Sequence, residues 1–323
     1  AFFQEKLLPS GFSGSVLVAH EGKVIYENSW GMANFVSKAD MTQDAVFQLA
    51  SVSKTFTSAA VLLLYQRGLI DLNAPVQEYI PEFPFGDITV HHLLTHRSGL
   101  QRYMYFVERY SKERQHLNNE DVLKILVENK DKLGPIFPPG TKYDYSNTGF
   151  VMLVLLVERV SGEEFADFMR EEFFEPLGMK HTSIGRPQSK DFVLCAGHYH
   201  NTRQIAPFYQ DEVLGDKSVY SSAEDMFRWD RSFSDEYILN NETLKLAFTD
   251  WEPDRNGLHN YGYGWRILHY PNGESFEYHT GWYRGYTSLF VRLRSTNSCI
   301  VILSNRVNKS FMVTYHDLVA ILK

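Results

Sequence analysis

The run SVSKTFTSAAVLLLYQRG, Ser51 to Gly68, decides the fold. It has room for about five helical turns, is mostly apolar and closes on a glycine, so it reads as one helix. The chain before it has a different period. Gly14 to His20 and Lys23 to Trp30 are apolar or alternating runs joined by Glu21-Gly22, a β-hairpin signal. After Gly68 the pattern stays mainly helical to about residue 215, broken by Pro138-Pro139-Gly140 and Pro176-Leu177-Gly178. Helices are expected over Val90 to His96, Asn119 to Glu128, Gly149 to Val160 and Glu163 to Phe174. Strands return near residue 260 as Tyr261 to His269, Ser275 to His279, Thr287 to Leu293 and Cys299 to Leu303. A turn is expected at Pro271-Asn272-Gly273 and a closing helix over Phe311 to Leu322.

Strands at both ends with helices between them predict an α/β chain of the α+β kind. One antiparallel sheet is built from the two ends and flanked by helices, and a mostly helical unit is inserted. The expected division is 1–69 with 216–323 as a discontinuous sheet-plus-helix domain around an inserted 70–215, with an active site at the junction. A length of 323 residues admits two units at about 150 residues each.

Composition removes several functions. With 32 Lys+Arg against 39 Asp+Glu, the net charge is −7, and no basic run offers a nucleic-acid footprint. No apolar stretch approaches the roughly 18 residues of an integral membrane span. Two cysteines, Cys195 and Cys299, are too few for a disulfide framework or a Cys-rich zinc site, and two separate thiols are expected. Aromatics at 15% suit a partly apolar binding cleft and ordinary core packing equally well. The start at Ala1, without Met, fits a removed signal peptide or a trimmed boundary alike.

Common catalytic signatures are missing: no Gly-x-Ser-x-Gly, His-Glu-x-x-His, Cys-x-x-Cys or Walker loop occurs. Among His91, His92 and His96, only the last two have i, i+4 spacing, and no carboxylate lies between them. These histidines, like His198 and His200, read as structural, and neither a metal nor an organic cofactor is expected. Ser51-Val52-Ser53-Lys54 is different. On a helix, positions i and i+3 share a face, so the Ser51 hydroxyl meets the Lys54 amine. A serine attacks only when a base takes its proton, and a buried lysine with a lowered pKa is such a base. Alone, the tetrapeptide is equally a chance match.

Tyr145-Ser146-Asn147 precedes a helix and gathers a phenol, a hydroxyl and a carboxamide on one turn. It suits a proton relay through Tyr145 and an amide anchor through Asn147. It equally suits plain helix capping by Ser146 or Asn147. His279-Thr280-Gly281 ends a predicted strand, with Gly281 allowing close backbone approach. It also fits a strand simply entering a turn.

In this order and at these separations, the three motifs resemble the serine β-lactamase and penicillin-binding D,D-peptidase superfamily. The likeness is to its branch of class C β-lactamases, D,D-carboxypeptidases, D-aminopeptidases and related esterases. It extends over nearly the whole chain, through Phe12-Ser-Gly-Ser-Val-Leu-Val18, His92-Leu-Leu-Thr-His-Arg-Ser-Gly-Leu100, Glu175-Pro-Leu-Gly-Met179, Tyr220-Ser-Ser-Ala-Glu-Asp225 and Gly262-Tyr-Gly-Trp265. The resemblance implies a β-lactamase/transpeptidase-like fold and an acyl-enzyme on Ser51. Lys54 holds the hydroxyl proton network, and Tyr145 is general base or its relay. Asn147 binds the substrate amide, and His279, Thr280 and Gly281 the carboxylate side. The backbone N–H groups of Ser51 and Trp282 form the oxyanion hole. Many β-lactamases have Lys where this chain has His279, and Arg266, thirteen residues earlier, matches an arginine that grips a terminal carboxylate in certain D,D-carboxypeptidases. A surface strand arginine is the other reading of Arg266.

The expected function is therefore a serine hydrolase acting on D-Ala-type peptides or β-lactams, with β-lactam-type compounds as covalent inhibitors. Small esters, N-terminal D-amino-acid amides and a non-catalytic penicillin-binding or scaffold role are the alternatives. The resemblance implies an exported, periplasmic or extracellular bacterial location, with a cytoplasmic one as the alternative. An imidazole at position 279 with an ordinary pKa near 6.5 implies carboxylate binding that weakens as pH rises through neutrality. Tyr145, Trp282 and Tyr283 are expected to line the cleft.

Overall fold

In the computed structural model the described residues are 3–111, 116–188, 192–251, 259–270, 273–307, 317, 319, 320 and 322. β1 (Gly14–His20) and β2 (Lys23–Trp30) pair antiparallel. Their turn residues Glu21 and Gly22 have φ of 48° and 73°, as a type I′ turn requires, because its twist matches that of the strands. β3 (Met32–Asn34), β4 (Ala39–Asp40) and β5 (Phe47–Gln48) follow. A 3-10 turn at Ala50–Val52 then runs into α1 (Ser53–Gln66). The α-helix thus starts two residues later than expected, and Ser51 sits on the turn ahead of it.

α1 is buried from Ser53 to Leu64, which is why its sequence is apolar on all sides. Each fully buried Leu or Phe contributes roughly 1.5–3 kcal/mol. Phe56 stacks on Trp229 with ring centroids 4.1 Å apart. The middle of the chain supplies α2 (Val90–Leu94), α3 (Tyr103–Tyr110), α4 (Asn119–Glu128), α5 (Asn147–Ser161) and α6 (Phe165–Met169), the last passing into a π turn at Arg170–Phe174. Capping boxes open α2 (Thr89 with His92) and α4 (Asn118 with Asp121), satisfying N–H groups that have no intrahelical partner. α5 is buried from Thr148 to Val157, packs on α1 and ends at Gly162 with φ 78°.

β6 (Ser183–Ile184) and β7 (Val219–Ser221) join β5 in a strip ordered β5-β7-β6. α7 (Ala223–Ser234) and α8 (Asn241–Ala247) start under side-chain caps from Ser222 and Asn240. β8 (His259–Tyr261), β9 (Arg266–His269), β10 (Ser275–Tyr283), β11 (Tyr286–Leu293) and β12 (Ser298–Ser304) complete a seven-stranded antiparallel sheet, β2-β1-β12-β11-β10-β9-β8. Early and late parts of the chain meet one strand in from its β2 edge, where β1 pairs with β12 and Gly14 faces Ser304. The sheet has a core on each face. Leu17, Val301 and Leu303 join the core that holds α1 and α5, whereas Val16, Val18, Ile300 and Ile302 join Phe3, Leu7 and Phe12 on the other side. Strands buried on both faces lose the polar half of their alternation, hence the continuous apolar runs.

The strand expected over Tyr261 to His269 is two strands, because Gly262-Tyr-Gly-Trp265 forms a turn in which Gly262 N–H donates to the Trp265 carbonyl. The closing helix over Phe311 to Leu322 falls largely outside the described residues, as do Pro271 and Asn272 of the expected turn. α3, α7 and α8 were not anticipated. Cys195 and Cys299 are both buried and unbonded to each other. Among the described residues, no helix is long and apolar enough to cross a membrane.

Candidate active site

Ala50, just before Ser51, is fully buried with φ 48°, a region that residues with a Cβ rarely occupy. Strain of this kind persists only where the surroundings hold it. Here they do: Leu49 N–H donates to the Val219 carbonyl, and β10 presses on the turn from the other side. Gly281 makes that approach possible. A Cβ there would lie 2.3 Å from the Leu49 carbonyl oxygen and 2.3 Å from Ser288 Oγ. β10 pairs with β11 from Glu277 to Tyr283, but with β9 only from Ser275 to Tyr278. Its His279–Tyr283 half therefore offers a strand edge to the turn that carries Ser51.

Lys54 is fully buried. Its Nζ donates to Ser51 Oγ at 3.3 Å and to the Asp216 backbone carbonyl at 2.9 Å. It lies 4.9 Å from the centroid of the Tyr145 ring and 5.4 Å from that of Phe150. Burial lowers its pKa to about 7; the Asp216 charge opposes that shift and the Arg266 charge adds to it. Near neutrality a large fraction of this amine is unprotonated, the state in which it can accept the Ser51 proton.

The Tyr145 loop is braced by His96. That histidine is 1% exposed with φ 58°, and its Nδ1 accepts from Ser146 N–H at 3.1 Å. Its carbonyl accepts from Asp144 N–H, and its ring lies 4.2 Å from the Tyr145 ring, centroid to centroid. Burial first, then the Lys54, Arg266 and His279 charges, push its pKa well below 6.5. The Tyr145 hydroxyl is buried and forms no well-aligned hydrogen bond. Burial raises its pKa, against the pull of the facing Ser51 hydroxyl and of Arg266, so Tyr145 is a phenol at neutral pH. Asn147 opens α5 with Oδ1 buried and unpartnered, its Nδ2 3.9 Å from Met104 Sδ. Ser146 does not cap α5 through its side chain; its Oγ donates to the Leu100 carbonyl.

His279 departs from the expected titrating group. It is fully buried. Nδ1 lies 2.8 Å from the Thr280 carbonyl, which can only accept, so Nδ1 carries the proton. Nε2 then accepts from Tyr261 Oη at 3.1 Å. Burial, followed by the Arg266 and Lys54 charges, drives its pKa well below 6.5. That direction runs against a ring that titrates near neutrality, the basis of the expected pH-dependent carboxylate grip. Arg266 keeps a cation at this end of the site. Its guanidinium carbon lies 5.3 Å from the Tyr145 ring centroid, and its buried Nε has no acceptor.

The structure thus gathers Ser51, Lys54, Tyr145, Arg266, His279 and Gly281 around one turn; Asn147 stands two residues beyond Tyr145, and Thr280 is half-buried. Of the cleft aromatics, Trp282 departs from expectation, its residue 63% exposed. Tyr283 donates to Asp211 Oδ1 at 2.7 Å and lines a small pocket with Gln48 and Tyr220. His92 Nδ1 accepts from Thr89 N–H in its capping box, His91 pairs with the Tyr263 hydroxyl, and buried His198 accepts from Phe35 N–H. Tyr261, Asp216, Lys217, Tyr103 and the bracing role of His96 had no place in the sequence reading. His96 lay inside the quoted run His92 to Leu100, the one signal that pointed to it.

A family model described as Beta-lactamase matches residues 10–322. Penicillin-binding protein 4* of Bacillus subtilis is 29% identical over 311 residues, 91% of this chain and 68% of its own length. Protein flp of Staphylococcus aureus is 25% identical over 90% of this chain and 59% of its own length. The chain thus spans roughly three fifths to two thirds of these curated relatives. The crystal structure of a penicillin-binding protein from Bacillus halodurans superposes with a TM-score of 0.88 at 24% identity, covering 98% of this chain and 99% of that one. That likeness shows the same fold, an antiparallel sheet flanked by helices.

Proposed function

The chain belongs to the beta-lactamase family, and from that premise we propose that it is an active-site serine hydrolase working through an acyl-enzyme on Ser51. The observation that carries the reading is Lys54: fully buried, 3.3 Å from Ser51 Oγ and with its pKa lowered to about 7. The neutral amine takes the Ser51 proton as Oγ bonds to the substrate carbonyl carbon, and the carbonyl π electrons move onto oxygen. That oxyanion is received by the backbone N–H groups of Ser51 and Trp282. As the bond to the leaving group breaks, its electron pair takes the Tyr145 proton, and Tyr145 recovers one from the Lys54 ammonium. The high pKa of Tyr145 suits this relay better than the role of primary base. Water then attacks the ester with the same groups run in reverse, as general acid–base catalysis requires.

The preferred substrates are D-Ala-type peptides or β-lactams. The unpaired Arg266 Nε and the unpartnered Asn147 Oδ1 support this choice, matching a substrate carboxylate and amide N–H in turn. Arg suits the first task through its planar fork. The site would lie at the junction of the 1–69/216–323 and 70–215 units, and the protein would act outside the cytoplasm. Incubation with a fluorescent penicillin or a fluorophosphonate, read by intact mass, is expected to add one probe to the wild type. Ser51→Ala is expected to add none while keeping its circular dichroism spectrum. An adduct or undiminished hydrolysis in Ser51→Ala overturns the assignment.

A further inference from the structure

The loop that receives Lys54 contains a second buried lysine. Gly215, Asp216 and Lys217 lie between α5 and α1, and the clamp is tight. Thr57 Oγ1 donates to the Gly215 carbonyl at 2.8 Å, and Val219 N–H donates to Ser53 Oγ at 2.9 Å. A Cβ on Gly215, whose φ is 101°, would lie 2.4 Å from the Phe150 carbonyl oxygen. The Asp216 carbonyl faces Lys54 while its side chain turns to Lys217, whose Nζ lies 3.3 Å from Oδ1. Lys217 Nζ also donates to Tyr103 Oη at 2.5 Å and to the Val213 carbonyl at 3.1 Å. The Tyr103 hydroxyl closes the ring, donating towards Asp216 Oδ2 at 3.3 Å. Asp216 and Lys217 are 1% and 2% exposed.

A buried ion pair is a poor source of stability, because desolvating both charges offsets most of their attraction. Its position next to Lys54 gives it another use. We propose that Lys217, held by Tyr103 and Asp216, is a positioning residue for the Ser51–Lys54 pair: it balances the Asp216 carboxylate and fixes the loop carbonyl to which Lys54 donates. With Lys217 in place, Lys54 meets a bound carbonyl, and the Asp216 charge that acts on it is partly offset. Without it, Lys54 faces an uncompensated carboxylate and is held as ammonium, which cannot take the Ser51 proton. The other groups facing this region are Arg266, His96, His279 and Tyr145 around Lys54, and Asp211 and Tyr283 beside Lys217. His96 and His279 are neutral, so Arg266 is the remaining cation acting on Lys54. The inference rests on the serine-hydrolase reading for its catalytic meaning, but its charge balance can be measured without turnover.

The test follows the Lys54 Nζ resonance by NMR in protein labelled with 15N,13C-lysine, assigned through Lys54→Arg. Lys217→Met is expected to raise the Lys54 titration midpoint by about one unit, the scale on which a close charge acts. Asp216→Asn keeps the backbone carbonyl and is expected to lower it. The Asp216→Asn/Lys217→Met pair is expected to return it close to wild type. In parallel, the pH at which Ser51 acylation by a fluorophosphonate reaches half its maximal rate should move the same way in each variant. An unmoved midpoint in Asp216→Asn, or the same direction in both single variants, overturns the proposal. If Lys217→Met does not fold, Asp216→Asn alone decides. Midpoints that move as expected in a protein that never acylates uphold the charge balance and sink the hydrolase reading instead.

Discussion

The surroundings of Ser51 and the junction between α7 and β11 both bury charge, yet they are finished differently. At the junction, Asp230 accepts from Arg292 Nε at 2.6 Å and from Arg231 Nη2 at 2.6 Å. The Arg292 guanidinium carbon lies 4.9 Å and 5.3 Å from the ring centroids of Phe233 and Phe248; Asp230 has both oxygens occupied, and Arg292 Nη1 is left without a partner. Around Ser51, Asn147 Oδ1, His96 Nε2 and Arg266 Nε are buried without partners and Tyr145 Oη has no partner but the facing Ser51 hydroxyl, with the His96 ring and the Arg266 guanidinium both against the Tyr145 ring. Native proteins leave few such atoms unpaired, because each costs the full desolvation of a polar group. Their convergence beside one serine marks a surface completed by something other than the chain itself. The junction holds the sheet to a helix, whereas on the proposed reading the atoms around Ser51 hold open a set of bonds for a substrate.

The sharpest break of that contrast is Lys54→Met. The rate of acylation should fall by about 10²–10⁴-fold, the usual worth of a positioned general base. Stability should move the opposite way. The folded pKa of Lys54 is lowered from 10.5 to about 7, so the native state carries the desolvation cost fully below pH 7. That cost is relieved as pH rises towards 10.5, where the unfolded lysine also loses its proton. Urea unfolding should therefore show a gain on the order of a few kcal/mol at pH 6, fading by pH 10. A loss of stability at pH 6 would put the cleft in the same class as the junction.

Asp230→Ala should reverse the pattern, losing about 3–5 kcal/mol because two arginines keep their charge without its partner. The activity per folded molecule, normalised by active-site labelling, should stay at the wild-type value. A change in that value would mean the junction acts on the chemistry. The smallest effect is the most selective. Arg266→Ala should raise KM for a peptide ending in a carboxylate by about 10–100-fold, the worth of a charge-assisted hydrogen bond. On a neutral ester KM should hardly change. Equal losses on both substrates would make Arg266 a support for the Tyr145 ring.

Legibility followed sequence distance. Ser51 and Lys54 stand three positions apart, so their meeting was visible although the local turn is 3-10. Tyr145, Asn147 and His279 could be named only because their motifs stand in a recognisable order. The partners that set their chemistry were invisible, since Asp216 and Tyr261 reach Lys54 and His279 through tertiary packing that no local spacing announces. For the same reason the charge on His279 was misjudged: a reference pKa describes a solvated ring, and this one is enclosed. In the fold, the α1 and α5 runs were plain because wholly buried helices are apolar all round. α7 was missed despite Ser222 three residues before Asp225, a legible cap, because its polar face diluted the apolar stripe. Gly262 and Gly264 were the available sign that Tyr261 to His269 would break.

The pairing of Gly14 with Ser304 has a consequence for how the protein is made. β1 and β2 leave the ribosome long before β12, the last of the described strands and the second neighbour of β1. Ser51 is therefore translated long before the β10 edge that completes its surroundings. Contacts between such distant parts form slowly, since the loop closure they need precedes any reward. Until β12 arrives, β1 has an open strand edge of apolar residues, the kind of surface that invites pairing with another chain. The nascent chain thus carries an unpaired β1 edge until β12 pairs with it, and the surroundings of Ser51 are complete only after β10 has been made.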